Sequence, residues 1–258
     1  MGKVFALCTQ KGGTAKTSSA IEISAWLSNE GYRTLLIDLD QQCDSTRNSG
    51  IKSSIHSIHE VFQQECKISD AIHKTQWYDV IPASPILSKA DQIYIERDDI
   101  YLLKDVCEIL LNKYDFIIID NPPARNVLLN MTYIAADYVI CPTLSDDNSI
   151  RGIIAVEQDL KKLRDSRNKE SHAYIIGVLL TIFETTNSHK KALANLQKIT
   201  EALPGDVFIS TVRKTIKMAE VKTLCMPLQA YEKFNNASLD YKKIARRIID
   251  IYEEDLNG

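Results

Sequence analysis

Lys11, Lys16 and Thr17 sit within one glycine-bearing stretch, Gln10-Lys11-Gly12-Gly13-Thr14-Ala15-Lys16-Thr17-Ser18. Asp38 and Asp40 close one later apolar run, and Asp120 closes another. Ammonium groups and a hydroxyl beside glycines suit an anion. Main-chain N–H groups opening a helix converge on phosphate, Lys16 would reach β- and γ-phosphates, and the Thr17 hydroxyl would ligate Mg²⁺. Of the carboxylates, one would hold the metal's water shell and another would orient an attacking water. Together they are the set that nucleotide hydrolysis needs. The strict pattern G-x-x-x-x-G-K-[ST] is not matched: Gln10 and Ala15 stand at its two glycines, and Lys11 is added directly before the Gly-Gly pair. Taken alone, a Gly-Gly-Lys turn also fits a plain strand-to-helix connection, and a lone aspartate fits a helix cap.

The surrounding elements must bring these groups together. Residues 4–8 are a short apolar run, predicted to be a buried strand, and Ala20, Ile21, Ile23 and Leu27 recur at near-helical spacing before a stop at 29–31. A second buried strand over 33–40 ends on Asp38 and Asp40, and 41–50 reads as a polar loop. Helical patterns follow at 55–64 and 68–74, a strand at 78–84 and a helix at 100–113. Residues 114–120 form the most apolar strand, ending on Asp120 before Asn121-Pro122-Pro123, where two prolines force a turn. Strands at 137–142, 173–183 and 207–212 then alternate with helices at 148–164 and 193–203, and an amphipathic helix over 238–254 ends the chain. Such alternation predicts one α/β domain over 1–258, a doubly wound, mostly parallel sheet with helices on both faces. The carboxyl ends of its strands would face the ligand crevice.

Composition narrows the class. The 258 residues are 45% hydrophobic and 25% charged, enough for a full core in an ordinary water-facing protein. A net charge of -3 gives no global attraction to nucleic acid, so such binding would need a local patch. Six scattered cysteines with no C-x-x-C pair indicate a reducing compartment, without a disulfide framework or a zinc site. The chain opens on a strand pattern rather than a signal peptide, and no apolar run approaches spanning length, so a cytoplasmic location is expected.

The arrangement K-G-G-x-x-K-[ST] resembles the deviant Walker A loop of the ParA/MinD family of ATPases. Leu36-Ile37-Asp38-Leu39-Asp40-Gln41-Gln42 is similar to the D-x-D-P-Q segment of ParA proteins, and Ile117-Ile118-Ile119-Asp120-Asn121-Pro122-Pro123-Ala124 to their I-I-D-x-P-P. Pro82-Ala83-Ser84, residues 177–183 and, more loosely, 211–220 also resemble family segments. The resemblance implies a Mg²⁺-dependent ATPase, slow and stimulated by a partner, that forms an ATP-sandwiched homodimer. It implies non-specific duplex DNA binding on the nucleoid and movement of plasmids or chromosomes with a ParB-type partner. By position, Lys16 grips its own nucleotide and Lys11 the partner's, Thr17 ligates Mg²⁺, Asp40 positions the hydrolytic water, and Asp120 is the Walker B acid. Gly12 would lie where two loops meet across the dimer. Two departures matter. Ala15 replaces a glycine, and if that position needs positive φ its methyl costs roughly 1–2 kcal/mol and weakens nucleotide affinity. Gln41 replaces a proline, loosening the turn after Asp40.

Candidate DNA contacts are Lys190 and Lys191, the group Arg213, Lys214, Lys217 and Lys222 in the 211–222 region, and Lys242, Lys243, Arg246 and Arg247 along the terminal helix. Charge runs are more often solvated faces. Two rival classes share parts of this pattern. A MinD-like membrane-surface ATPase needs a basic amphipathic tail, but here the tail runs into Glu253-Glu254-Asp255, and its stripe of Tyr241, Ala245, Ile248 and Tyr252 suits docking on the sheet. An electron carrier of the nitrogenase-reductase type needs cluster-binding cysteines, whereas Cys107 falls in a predicted helix and Cys141 in a predicted strand.

Overall fold

Strand β1 (Lys3–Leu7) is apolar on both sides because helices cover both of its faces. The computed structural model describes residues 1–52 and 56–257, and β1 lies inside its eight-stranded sheet. The other strands are β2 (Thr34–Asp38), β3 (His73–Lys74), β4 (Asp79–Ile81), β5 (Phe116–Asp120), β6 (Tyr138–Thr143), β7 (Tyr174–Phe183) and β8 (Phe208–Arg213). Their order is β3-β4-β2-β5-β1-β6-β7-β8. Every neighbouring pair is parallel except β3 and β4, which are antiparallel at one edge. The winding reverses beside β1, which places a crevice at the carboxyl end of that strand. In register, Leu7 and Asp38 both lie next to Asp120.

The helices are α1 (Lys16–Asn29), α2 (Asp44–Asn48), α3 (Ile58–Phe62), α4 (Ile68–Ala71), α5 (Ala90–Ile93) and α6 (Leu102–Leu110). They continue as α7 (Val127–Ala135), α8 (Asp147–Arg164), α9 (Asn187–Thr200), α10 (Lys217–Leu224), α11 (Leu228–Tyr231) and α12 (Asn236–Asn257). The period-2 alternation of strands sorts the interior into two cores. Phe5, Leu7, Leu36 and Ile118 pack with Trp26 of α1 and with Tyr241 and Ile248 of α12. Val4, Ala6, Ile37 and Ile119 pack on the opposite face with Leu103, Met131, Leu160 and Leu196 of α6 to α9. One glycine is needed for closeness: a Cβ on Gly177 of β7 would stand 2.4 Å from the ring of Phe208 on β8.

The α/β architecture is as the alternation predicts, and the expected stripe of α12 (Tyr241, Ala245, Ile248, Tyr252) is buried. Several local expectations are corrected. Residues 41–50 are not all loop, because α2 forms within them. The pattern at 68–74 is helical only to Ala71; His73 and Lys74 extend as β3, borrowing ladder bonds from β4. Of the 55–64 pattern, Ile58–Phe62 is helical and Ile55 lies outside the described residues. Helix α9 begins six residues before the expected 193, where Thr186 caps it through the N–H of His189. Helices α5, α7, α10 and α11 are not foreshadowed by the apolar periodicity.

Candidate active site

A cleft of about 560 Å³ opens at the carboxyl edge of β1, and every residue from Lys11 to Ser18 lines it. The loop's path comes from its small residues. Gly13 has φ 77°, and Ala15 holds a left-handed φ of 59° and ψ of 27° as the residue before the first turn of α1. The sequence-derived condition on Ala15 is therefore met: an L-residue occupies a conformation that favours glycine. Thr181 of β7 ties the loop to the sheet, its hydroxyl lying 3.0 Å from the carbonyl oxygens of both Thr14 and Thr143. Gly12 is exposed, and a Cβ there would meet nothing within 4 Å in the same chain.

Lys16 and Asp120 are both buried and form an ion pair. Asp120 also accepts from Ser45 Oγ at 2.7 Å. Asp38 and Asp40, two residues apart, do different things. Asp38 is fully buried with both oxygens taken: Oδ1 accepts from the N–H of Asp40 (3.0 Å), and Oδ2 from the N–H (2.8 Å) and hydroxyl (2.7 Å) of Thr46. Burial, with the charge of Asp120 next, pushes its carboxyl up to about 7. Asp38 thus shapes the loop over 40–46. Asp40 lines the cleft, and burial raises its carboxyl above the usual range. Its side chain accepts from the N–H of Gln42 (2.9 Å) and its carbonyl from that of Cys43 (2.8 Å). That turn is closed by hydrogen bonds where the family segment uses a proline.

Lys11 points elsewhere. Its ammonium meets Asp146 at 2.8 Å, with both side chains 41% exposed. Asp146 is the N-cap of α8, accepting from the N–H of Ser149 at 3.0 Å and its hydroxyl at 2.6 Å. The hydrogen bond from Lys11, then that from the Ser149 hydroxyl, holds the Asp146 carboxyl well below the usual range. Apolar periodicity does not mark Asp146, Ser45 or Thr46; for Asp146 the available signal is an aspartate directly before a helical run, the N-cap preference. Tyr241 also lines the cleft and hydrogen-bonds Ser19 Oγ at 3.0 Å.

The basic candidates do not form one patch. Arg213, Lys214 and Lys222 line the same cleft as the phosphate loop. Arg213 forks onto Asp240 of α12 with two 2.7 Å bonds, so it fastens β8 to α12. Lys214 pairs with Glu184 at 3.4 Å and Lys217 with Glu220 at 2.9 Å. Lys190 and Lys191 stand exposed on α9, and Lys242, Lys243, Arg246 and Arg247 are exposed along α12. Cys107 and Cys141 are buried and free, and among the described residues no cluster of three His, Cys, Asp or Glu side chains could hold a metal. No helix among the described residues is long and apolar enough to cross a membrane.

Comparison with known proteins points one way. A family model described as "AAA domain" matches residues 2–173. The chain is 30% identical to the chromosome partitioning protein ParA of Caulobacter vibrioides over 255 residues, covering 96% of this chain and 94% of that protein. It is 28% identical to the chromosome-partitioning ATPase Soj of Treponema pallidum over 253 residues, covering 96% and 98%. Among solved structures, cobyrinic acid a,c-diamide synthase from Mycobacterium smegmatis with bound ADP and magnesium superposes with a TM-score of 0.83 at 26% identity, covering 98% of this chain and 96% of that one.

Proposed function

This chain belongs to the AAA-domain family, among the ParA and Soj partition ATPases, and from that premise we propose that it is a Mg²⁺-dependent ATPase that works as a nucleotide-sandwiched homodimer on duplex DNA. The observation that carries the reading is the meeting of Lys16 and Asp40 in the lining of one cleft, with Asp120 buried behind it on Lys16 and Lys11 also in the lining. Lys16 neutralises the β/γ-phosphates of its own nucleotide, exchanging its pairing with Asp120 for phosphate. The Thr17 hydroxyl and the Asp40 and Asp120 carboxylates are hard oxygen donors of the kind Mg²⁺ accepts, and the ion supplies charge neutralisation at the phosphates. Asp40, facing the cleft with Asp38 bracing its loop, orients the attacking water. Lys11 leaves Asp146 and reaches the partner's nucleotide, while Gly12 gives the second loop room to approach.

DNA binding falls to Arg213, Lys214, Lys217 and Lys222 with Lys190 and Lys191, the first three exchanging their carboxylate partners for phosphate. A ParB-type protein stimulates turnover, and the protein works on the nucleoid in the cytoplasm as one ATPase domain. The burial of the apolar stripe of α12 speaks against a MinD-like membrane anchor there. The test is filter binding to two unrelated duplexes at several salt concentrations, with and without Mg²⁺-ATP. Each neutralised phosphate contributes about 0.9 to the slope of log affinity against log salt. ATP should switch on binding that is indifferent to sequence and steep in salt. Equal binding without nucleotide, or strong preference for one duplex, would overturn the reading.

A further inference from the structure

Helix α8 meets the phosphate loop at two separate points. Just before its first turn, Asp146 holds Lys11; farther along by roughly 20 Å of helix rise, Asp159 accepts from Gln10 Nε2 at 3.1 Å. Adjacent loop residues therefore grip opposite stretches of one helix. The same Oδ2 of Asp159 also takes Arg125 at 2.9 Å, while Lys162 approaches the other oxygen at 3.6 Å. Arg125 belongs to the turn after Asp120, and Pro123 of that turn lines the cleft. Surface ion pairs are usually worth little. This carboxylate differs in being only 18% exposed and in receiving donors from three segments, two of which flank the candidate phosphate site.

We propose that Asp159 is a positioning residue for nucleotide turnover, its one oxygen holding Gln10 of the phosphate loop and Arg125 of the turn after Asp120 in mutual register. The role rests on the ATPase reading above. Because Gln10 precedes Lys11, the clasp also sets where Lys11 starts. Lys16 and Thr17 lie beyond it in the loop, so nucleotide grip survives its loss and the alignment of the two loops does not.

The first test is hydrogen exchange on the full-length protein. Asp159→Ala should speed exchange roughly tenfold in both 9–14 and 121–127, the size of one charge-assisted hydrogen bond. Arg125→Ala should also speed exchange in 9–14, which it reaches only through the shared oxygen. Asp159→Asn, keeping an acceptor for Gln10 but no charge for Arg125, should speed exchange in 121–127 as much as Asp159→Ala does and in 9–14 less. The second test separates positioning from general support: kcat should fall about five- to tenfold in Asp159→Ala, with the Kd of a fluorescent ATP analogue within about twofold of wild type. Faster exchange confined to α8, or an equal loss of Kd and kcat, would overturn the proposal. Should wild type turn over no ATP, the functional reading falls, while the exchange pattern still decides the clasp.

Discussion

Replacing Ala15 by glycine tests the backbone at the centre of the cleft. At φ 59° and ψ 27° the alanine methyl costs about 1–2 kcal/mol, which glycine avoids. Glycine in turn adds roughly 0.4–1 kcal/mol of unfolded-chain entropy. The difference leaves Ala15→Gly more stable by about 0.5–1 kcal/mol, a rise in Tm of roughly 1–4 °C for a chain of this size. Ala15→Val, β-branched in the same conformation, should melt below wild type. Calorimetric scans of the three proteins read both shifts. Strain shared by free and bound loops cancels from affinity, so titrated ATP should bind Ala15→Gly within about twofold of wild type. Weakened affinity, the expectation from sequence, would instead require strain that only the bound loop carries. A glycine variant that melts lower than wild type would refute the strain. One that binds ATP tenfold tighter without a change in Tm would place the strain in the bound loop alone.

Lys16→Ala should abolish nucleotide binding, and it also leaves Asp120 buried without its cation, so the double variant Lys16→Ala/Asp120→Asn should recover melting temperature but not binding. Lys11→Ala, removing a half-exposed group, should still bind nucleotide as a monomer yet fail to dimerise; equal loss of binding in both lysine variants refutes the division of labour. Asp40→Ala should bind ATP, dimerise and turn over slowly, losing at most the one hydrogen bond from Gln42, whereas Asp38→Asn, which disturbs three hydrogen bonds to its loop, should lose about 1–3 kcal/mol of stability. For Glu22, buried on α1 and accepting from the N–H groups of Leu228 (2.6 Å) and Gln229 (3.2 Å), burial pushes the carboxyl from 4.5 up to about 7. A folded value above the unfolded one gives stability that is complete below pH 4.5 and fades as pH rises through 7. Denaturant titrations of Glu22→Gln from pH 4.5 to 8 should therefore show a shallower decline than wild type, and parallel curves would contradict the assignment.

The parts of the cleft legible in sequence are those whose signal is local. The apolar run before Gly12 and Gly13, the helical spacing of Ala20 to Leu27, and the prolines after Asp120 each report their own backbone. What stayed hidden depends on distant partners. Helix α2 is polar throughout and is pinned by Thr46 on Asp38 and Ser45 on Asp120, contacts only the fold creates. Strand β3 is two residues long and exists through its pairing with β4. The pairing of Lys11 with Asp146 spans 135 positions, and that of Arg213 with Asp240 fastens β8 to α12 across 27. Residue type identified candidate cations; only geometry separated those bound to neighbours from those left exposed.

Sedimentation velocity with and without Mg²⁺-ATP measures the central claim most directly. Asp40→Ala, which should hold ATP without consuming it, gives the clearest boundary. The expected result is a monomer without nucleotide, a dimer with ATP, reversal to monomer with ADP, and no dimer for Lys11→Ala. A monomer under all conditions, or a dimer indifferent to nucleotide, would contradict it.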